Sequence, residues 1–109
     1  MKLYIIVRGD LPPGAQLAQS CHAAFSLAGQ FPEEVGPWNR VDQNLVVLQA
    51  PNEGALWELL GDAMRAHVSV TGFCEPDLDD SLTAVAMIGE NAGKLVSSLP
   101  LALRAPRAA

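Results

Sequence analysis

The chain has 109 residues, half of them hydrophobic, with seven basic and twelve acidic side chains and a formal charge of −5. That length makes one domain with enough apolar material for a real core, and it excludes a disordered chain. The acidic balance and scattered basic residues argue against a general nucleic-acid binder and leave room only for a local positive patch, such as Arg8 with Lys94; no DNA partner is expected.

The apolar runs are too short to span a bilayer, so no membrane partner is expected either. Met1-Lys2 leads straight into a strand pattern, without the apolar core of a signal peptide. Cys21 and Cys74 do not make a disulfide framework, and a reducing, cytoplasmic setting is expected.

In chain order, residues 2–8 are a continuous apolar run, the pattern of a strand buried on both faces. Pro12 and Pro13 mark the start of a helix that runs to Ala28, with Gly29 as its stop. Leu17, Cys21, Ala24 and Ala28 recur at helical spacing and read as its buried stripe. Residues 31–43 are rich in Pro, Gly, Asn and Asp and read as a loop with at most one helical turn at 32–34; Trp38 is a packing anchor within it.

Residues 44–49 form a second central strand. Asn52 is the candidate N-cap of a second helix, whose buried stripe is Leu56, Leu59, Leu60, Ala63 and Met64. Residues 68–73 alternate as a third strand, 75–80 make an acidic turn, and 82–88 are a fourth strand closed by Gly89. A short helix over 91–98 follows. The order β-α-β-α-β-β-α predicts an α/β fold, a three-layer sandwich with a four-stranded mixed sheet flanked by helices. The domain is expected over residues 1–103, with 104–109 as a frayed tail.

Gln19 and His22 are three apart and share one face of the first helix. A histidine there can shuttle protons near neutral pH, or it can simply pack against a loop. Cys21 cannot pair with His22, because helical neighbours point about 100° apart. Asp10 ends the first strand, where α/β sheets gather their sites, but an N-cap or turn role before the proline-led helix is the first expectation for it. Arg8 needs either an acidic partner or a bound anion. Glu75, Asp77, Asp79 and Asp80 lack the glycine and the distal glutamate of a calcium loop. No phosphate loop, dinucleotide fingerprint or zinc spacing is present, so neither a metal nor a cofactor is expected.

A strand ending Arg-x-Asp-Leu and a helix carrying Gln-x-x-His-Ala stand here as Arg8, Asp10, Leu11, Gln19, His22 and Ala23. In this the chain resembles the type 2, archaeal and eukaryotic class of peptidyl-tRNA hydrolases. The resemblance implies the same four-stranded mixed sheet and hydrolysis of the ester in peptidyl- or aminoacyl-tRNA, or of another acyl substrate. It implies a catalytic group of His22, Gln19, Glu75 and Asp10. It also implies substrate contacts from Arg8, Thr83 and Lys94, with Arg8 or Lys94 facing the terminal phosphate. The chain departs from the family where Ala15 takes a lysine's place, where Pro12-Pro13-Gly14 replaces a basic loop, and where only the strand Val85 to Gly89 survives of the second motif. The alternative is a non-catalytic binding or assembly module on the same fold, with Phe31, Trp38 and Trp57 forming a partner or homodimer face.

Overall fold

The computed structural model describes residues 1–104. Its strands are β1 (Lys2–Arg8), β2 (Asn44–Ala50), β3 (Ser69–Glu75) and β4 (Ser81–Ile88). Its α-helices are α1 (Pro13–Gln30), α2 (Pro32–Arg40), α3 (Glu53–Arg65) and α4 (Ala92–Val96), with one 3₁₀ turn at Pro76–Leu78. The sheet order is β2-β1-β4-β3. β1 and β2 run parallel, whereas β4 is antiparallel to both β1 and β3. The expected three-layer α/β sandwich on a four-stranded mixed sheet is therefore what forms.

β4 is central and every residue from Leu82 to Ile88 is buried, which is why its sequence is a continuous apolar run. Alternation along the strands feeds two cores. Ile5, Val7, Ala84 and Ala86 pack with Ala23 and Leu27 of α1 on one face. Ile6, Val85 and Met87 pack with Leu56, Leu59 and Ala63 of α3 on the other. Asn52 caps α3, its side-chain oxygen accepting from the Ala55 backbone N–H at 2.9 Å, as its residue type predicts.

Four details differ from the sequence reading. The buried face of α1 is Gln16, Gln19, Ser20, Ala23 and Leu27; of the expected stripe Ala24 and Ala28 pack partly buried at its margin, while Leu17 and Cys21 are exposed. The helix is turned by one residue, about 100°: the sheet side takes two glutamines, Gln19 bonded through both ends of its amide and Gln16 donating to the Leu11 carbonyl at 2.8 Å. Gly29 does not stop α1, which continues to Gln30; Pro32 ends it and opens α2. Residues 32–40 are helical rather than loop. Pro32 in the first turn, Glu33 and Glu34 beside it and Arg40 in the last turn suit the helix dipole, and Val35 anchors it in the core. Met64 faces solvent rather than the core.

After α4, residues 100–102 cover part of the outer edge of β2. Gln49 N–H donates to Pro100 O and Ala102 N–H to Val47 O. Of the tail expected to fray, residues 105–109 lie outside the described residues.

Candidate active site

The β3–β4 ladder carries an irregularity that builds the site. Phe73 pairs with Ala84 and Cys74 with Leu82, so Thr83 is an extra residue with no partner across the ladder. A bulge of this kind re-aims a side chain, and here the Thr83 hydroxyl turns to α1. It donates to Gln19 Oε1 at 2.6 Å and lies 3.2 Å from the Phe73 carbonyl oxygen. With its oxygen so held, Gln19 presents its Nε2 to Glu75 Oε1 at 3.0 Å. Glu75 also accepts from the Asp77 backbone N–H.

This network fixes the charge on Glu75. The Gln19 amide hydrogen holds its carboxyl below the usual carboxylate range, against a smaller opposing effect of burial. The Asp77 N–H and the charge of His22 act in the same direction as Gln19. One turn along α1, the His22 ring lies flat on Phe73, with centroids 4.4 Å apart and planes 6° apart. Phe73 and Glu75 are two residues apart on one face of β3. The exposed imidazole and the ionised carboxylate thus stand side by side over the same strand.

Arg8 and Asp10 form a second group at the end of β1. Arg8 Nε and Nη2 donate to the two Asp10 oxygens at 2.9 and 3.1 Å, and Nη1 donates to Ser81 Oγ at 3.2 Å. Each partner stabilises the other's charge, raising the Arg8 pKa and lowering that of Asp10, chiefly through these hydrogen bonds. The two groups meet through the ladder, where Ser81 pairs with Glu75. On the Arg8 side opens a cavity of 520 Å³ walled by Arg8, Glu53, Asp77, Asp79, Asp80 and Ser81; neither His22 nor Glu75 lines it. Glu53 accepts from the Leu82 N–H and from Trp57 Nε1, which hold its carboxyl low as well.

The structure therefore brings His22, Gln19, Glu75 and Thr83 together, with Arg8 and Asp10 alongside. Four of the expected site residues stand differently. Gln19 is only 5% exposed and Thr83 is fully buried; both are committed to orienting Glu75, so neither is placed to hold a substrate. Asp10 is the counter-ion of Arg8, and it does not cap α1, where no side chain caps the first turn. Lys94 is not brought to the site. It lies on α4, which follows the far end of β4, roughly 23 Å of strand away from Ser81.

Phe73, Ser81 and Glu53 were not anticipated. The alternation Thr71, Phe73, Glu75 along a strand that faces α1 was the available signal for Phe73, since Gln30, His22 and Gln19 of α1 meet those three in turn. Ser81 and Glu53 offered none, because their contacts join parts of the chain distant in sequence. Phe31 and Trp38 pack partly buried on the α1-side core, while Trp57 is exposed on α3, so these three do not make one face. Both cysteines are free and exposed. No helix among the described residues is long and apolar enough to cross a membrane.

No curated protein sequence matches the chain. Among solved structures it is similar to an Agrobacterium tumefaciens strain C58 protein described as of unknown function, at 13% identity and a TM-score of 0.69, covering 92% of this chain and 96% of that one. That likeness shows the fold. The family model for peptidyl-tRNA hydrolase PTH2 matches residues 1–99, nearly the whole chain, and the chain belongs to that family.

Proposed function

We propose that this protein hydrolyses the ester joining a peptide or amino acid to tRNA, with His22 and Glu75 as the reacting pair. The observation that carries this reading is the Thr83–Gln19–Glu75 network, which fixes an ionised carboxylate beside an exposed imidazole. A buried hydroxyl and amide spent on orienting one surface carboxylate are more than packing requires.

In the proposed reaction a water held at Glu75 attacks the acyl carbon while its proton passes to His22. The bond from the carbonyl carbon to the ribose oxygen then breaks. His22 returns the proton to that oxygen, giving a free acid and a free hydroxyl. Phe73 keeps the imidazole flat and facing outward. Among the described residues Arg8 is the one basic side chain lining the cavity beyond Ser81, and it is the candidate for the terminal phosphate. The reading takes residues 1–103 as one domain and a cytoplasmic, reducing setting, which two free cysteines suit.

The test compares purified wild type with His22→Ala on a peptidyl-tRNA and on a small acyl-adenosine ester. Loss of His22 should cost on the order of 10²–10⁴ in turnover, the usual share of one general acid/base. Ala15→Lys, which restores a cation at the family's lysine position, should raise turnover on the tRNA ester.

A second reading, a module that binds without catalysis, is favoured by one observation. The cavity beside the site is walled by Glu53, Asp77, Asp79 and Asp80 against a single Arg8 that Asp10 already neutralises. Inert wild type and inert Ala15→Lys, with partner binding unaffected by His22→Ala, would select this reading.

A further inference from the structure

The two edges of the sheet are treated differently. β2 is covered by residues 100–102, which bond to Gln49 and Val47. β3, the other edge, pairs only with β4. The Phe73 carbonyl oxygen lies 3.2 Å from the Thr83 hydroxyl of β4, so the backbone polar groups of Phe73 turn inward. By alternation those of Val70 and Gly72 point outward. Among the described residues no backbone group bonds them on that side. The usual guards of an open edge are proline, lysine and bulges. β3 contains neither proline nor any basic residue, and its register with β4 is regular from Ser69 to Phe73. This open row of donors and acceptors leads to Phe73, on which His22 stacks, and to Glu75.

We propose that the free edge of β3 takes the peptide of the substrate as an added strand. The peptide runs parallel to β3, with its carboxyl-terminal ester at Glu75. The inference rests on the hydrolase reading and specifies how the acyl group is held. Continuity with the candidate site fixes both occupant and direction. Glu75 ends β3, and the scissile ester ends the peptide. A parallel strand brings these two ends together and lays the rest of the peptide along the edge. Strand addition bonds main-chain groups, which every peptide carries. No charged side chain stands between Ser69 and Cys74 to select among sequences. From Val70 to Glu75 the strand spans roughly 17 Å, so about four or five peptide residues fill the edge.

The test varies the acyl group on a common adenosine ester. For acyl groups of one to six residues with the same terminal residue, kcat/KM should rise with length and level off near five. Each main-chain hydrogen bond gained should contribute roughly 2–10-fold. N-Methylation of every second peptide nitrogen should abolish the gain in one phase, where the nitrogens face β3, and be tolerated in the other. Val70→Pro removes one outward donor on an edge, where proline is tolerated. It should lower kcat/KM on the pentapeptidyl ester more than on the one-residue ester. If Val70→Pro does not fold, the methylated esters decide alone. Binding is read apart from turnover by hydrogen exchange. The Val70 and Gly72 amides should slow in millimolar acetylated pentapeptide amide, which has no ester. Rates independent of length, or equal in the two methylation phases, overturn the inference and leave the hydrolase reading standing. Inert esters with slowed exchange at those amides uphold the edge as a peptide site and overturn the hydrolase reading. Inert esters with unchanged exchange overturn both.

Discussion

At the scale of single residues, Thr83 decides the geometry around Glu75. It is buried on a bulge, and its one hydroxyl fixes which way the Gln19 amide points. Thr83→Val keeps the shape and removes the donor, leaving Gln19 Oε1 without its partner. It should lower stability by about 1–3 kcal/mol, the cost of an unpaired buried acceptor, and Thr83→Ser should recover part of this; urea unfolding measures both. Its pH consequence follows from Glu75, whose folded pKa is depressed by Gln19. The stability from that bond is fully present above the ordinary carboxylate pKa and is lost as pH falls through the depressed one. Glu75→Gln should therefore flatten the acid limb of the stability profile. Unfolding curves from neutral to acid pH that overlay for wild type and variant would show that Glu75 gains nothing from the contact. His22 and Gln19 were legible in the sequence, as two residues of one helix face. What Gln19 does was not, because its partners are 56 and 64 positions away.

At the scale of elements, the strands could be read because burial on both faces writes an unbroken apolar run. The rotation of α1 could not. Leu17, Cys21, Ala24 and Ala28 make a sound apolar stripe, yet the sheet takes the neighbouring face, with its two glutamines. Periodicity locates a stripe and does not say whether the sheet or solvent lies over it. A pair of substitutions separates the two faces. Leu27→Ala should cost about 2–5 kcal/mol as a core truncation, while Leu17→Ala should stay within about 0.5 kcal/mol in the monomer. The reverse order in thermal or urea unfolding would restore the sequence-based face. For α2, turn-forming composition concealed a nine-residue helix whose charges at both ends were correctly placed.

At the scale of the whole molecule, fold and family agree, while charge sets this chain apart from a protein that grips RNA along its length. With a charge of −5 and acidic walls beside the site, binding to bulk tRNA should be weak and should fall steeply with salt. Tight binding that ignores salt would mean a basic surface has been overlooked. The hydrolytic account rests on His22 and Glu75 acting together, and turnover tests that most directly. Peptidyl-tRNA hydrolysis should be measured for wild type, His22→Ala, Glu75→Gln and the double variant. The account predicts activity in wild type, a loss on the order of 10²–10⁴ in each single variant, and little further loss in the double, because the two residues act as a unit. Wild-type turnover that persists in His22→Ala, or no turnover in any of the four, contradicts it.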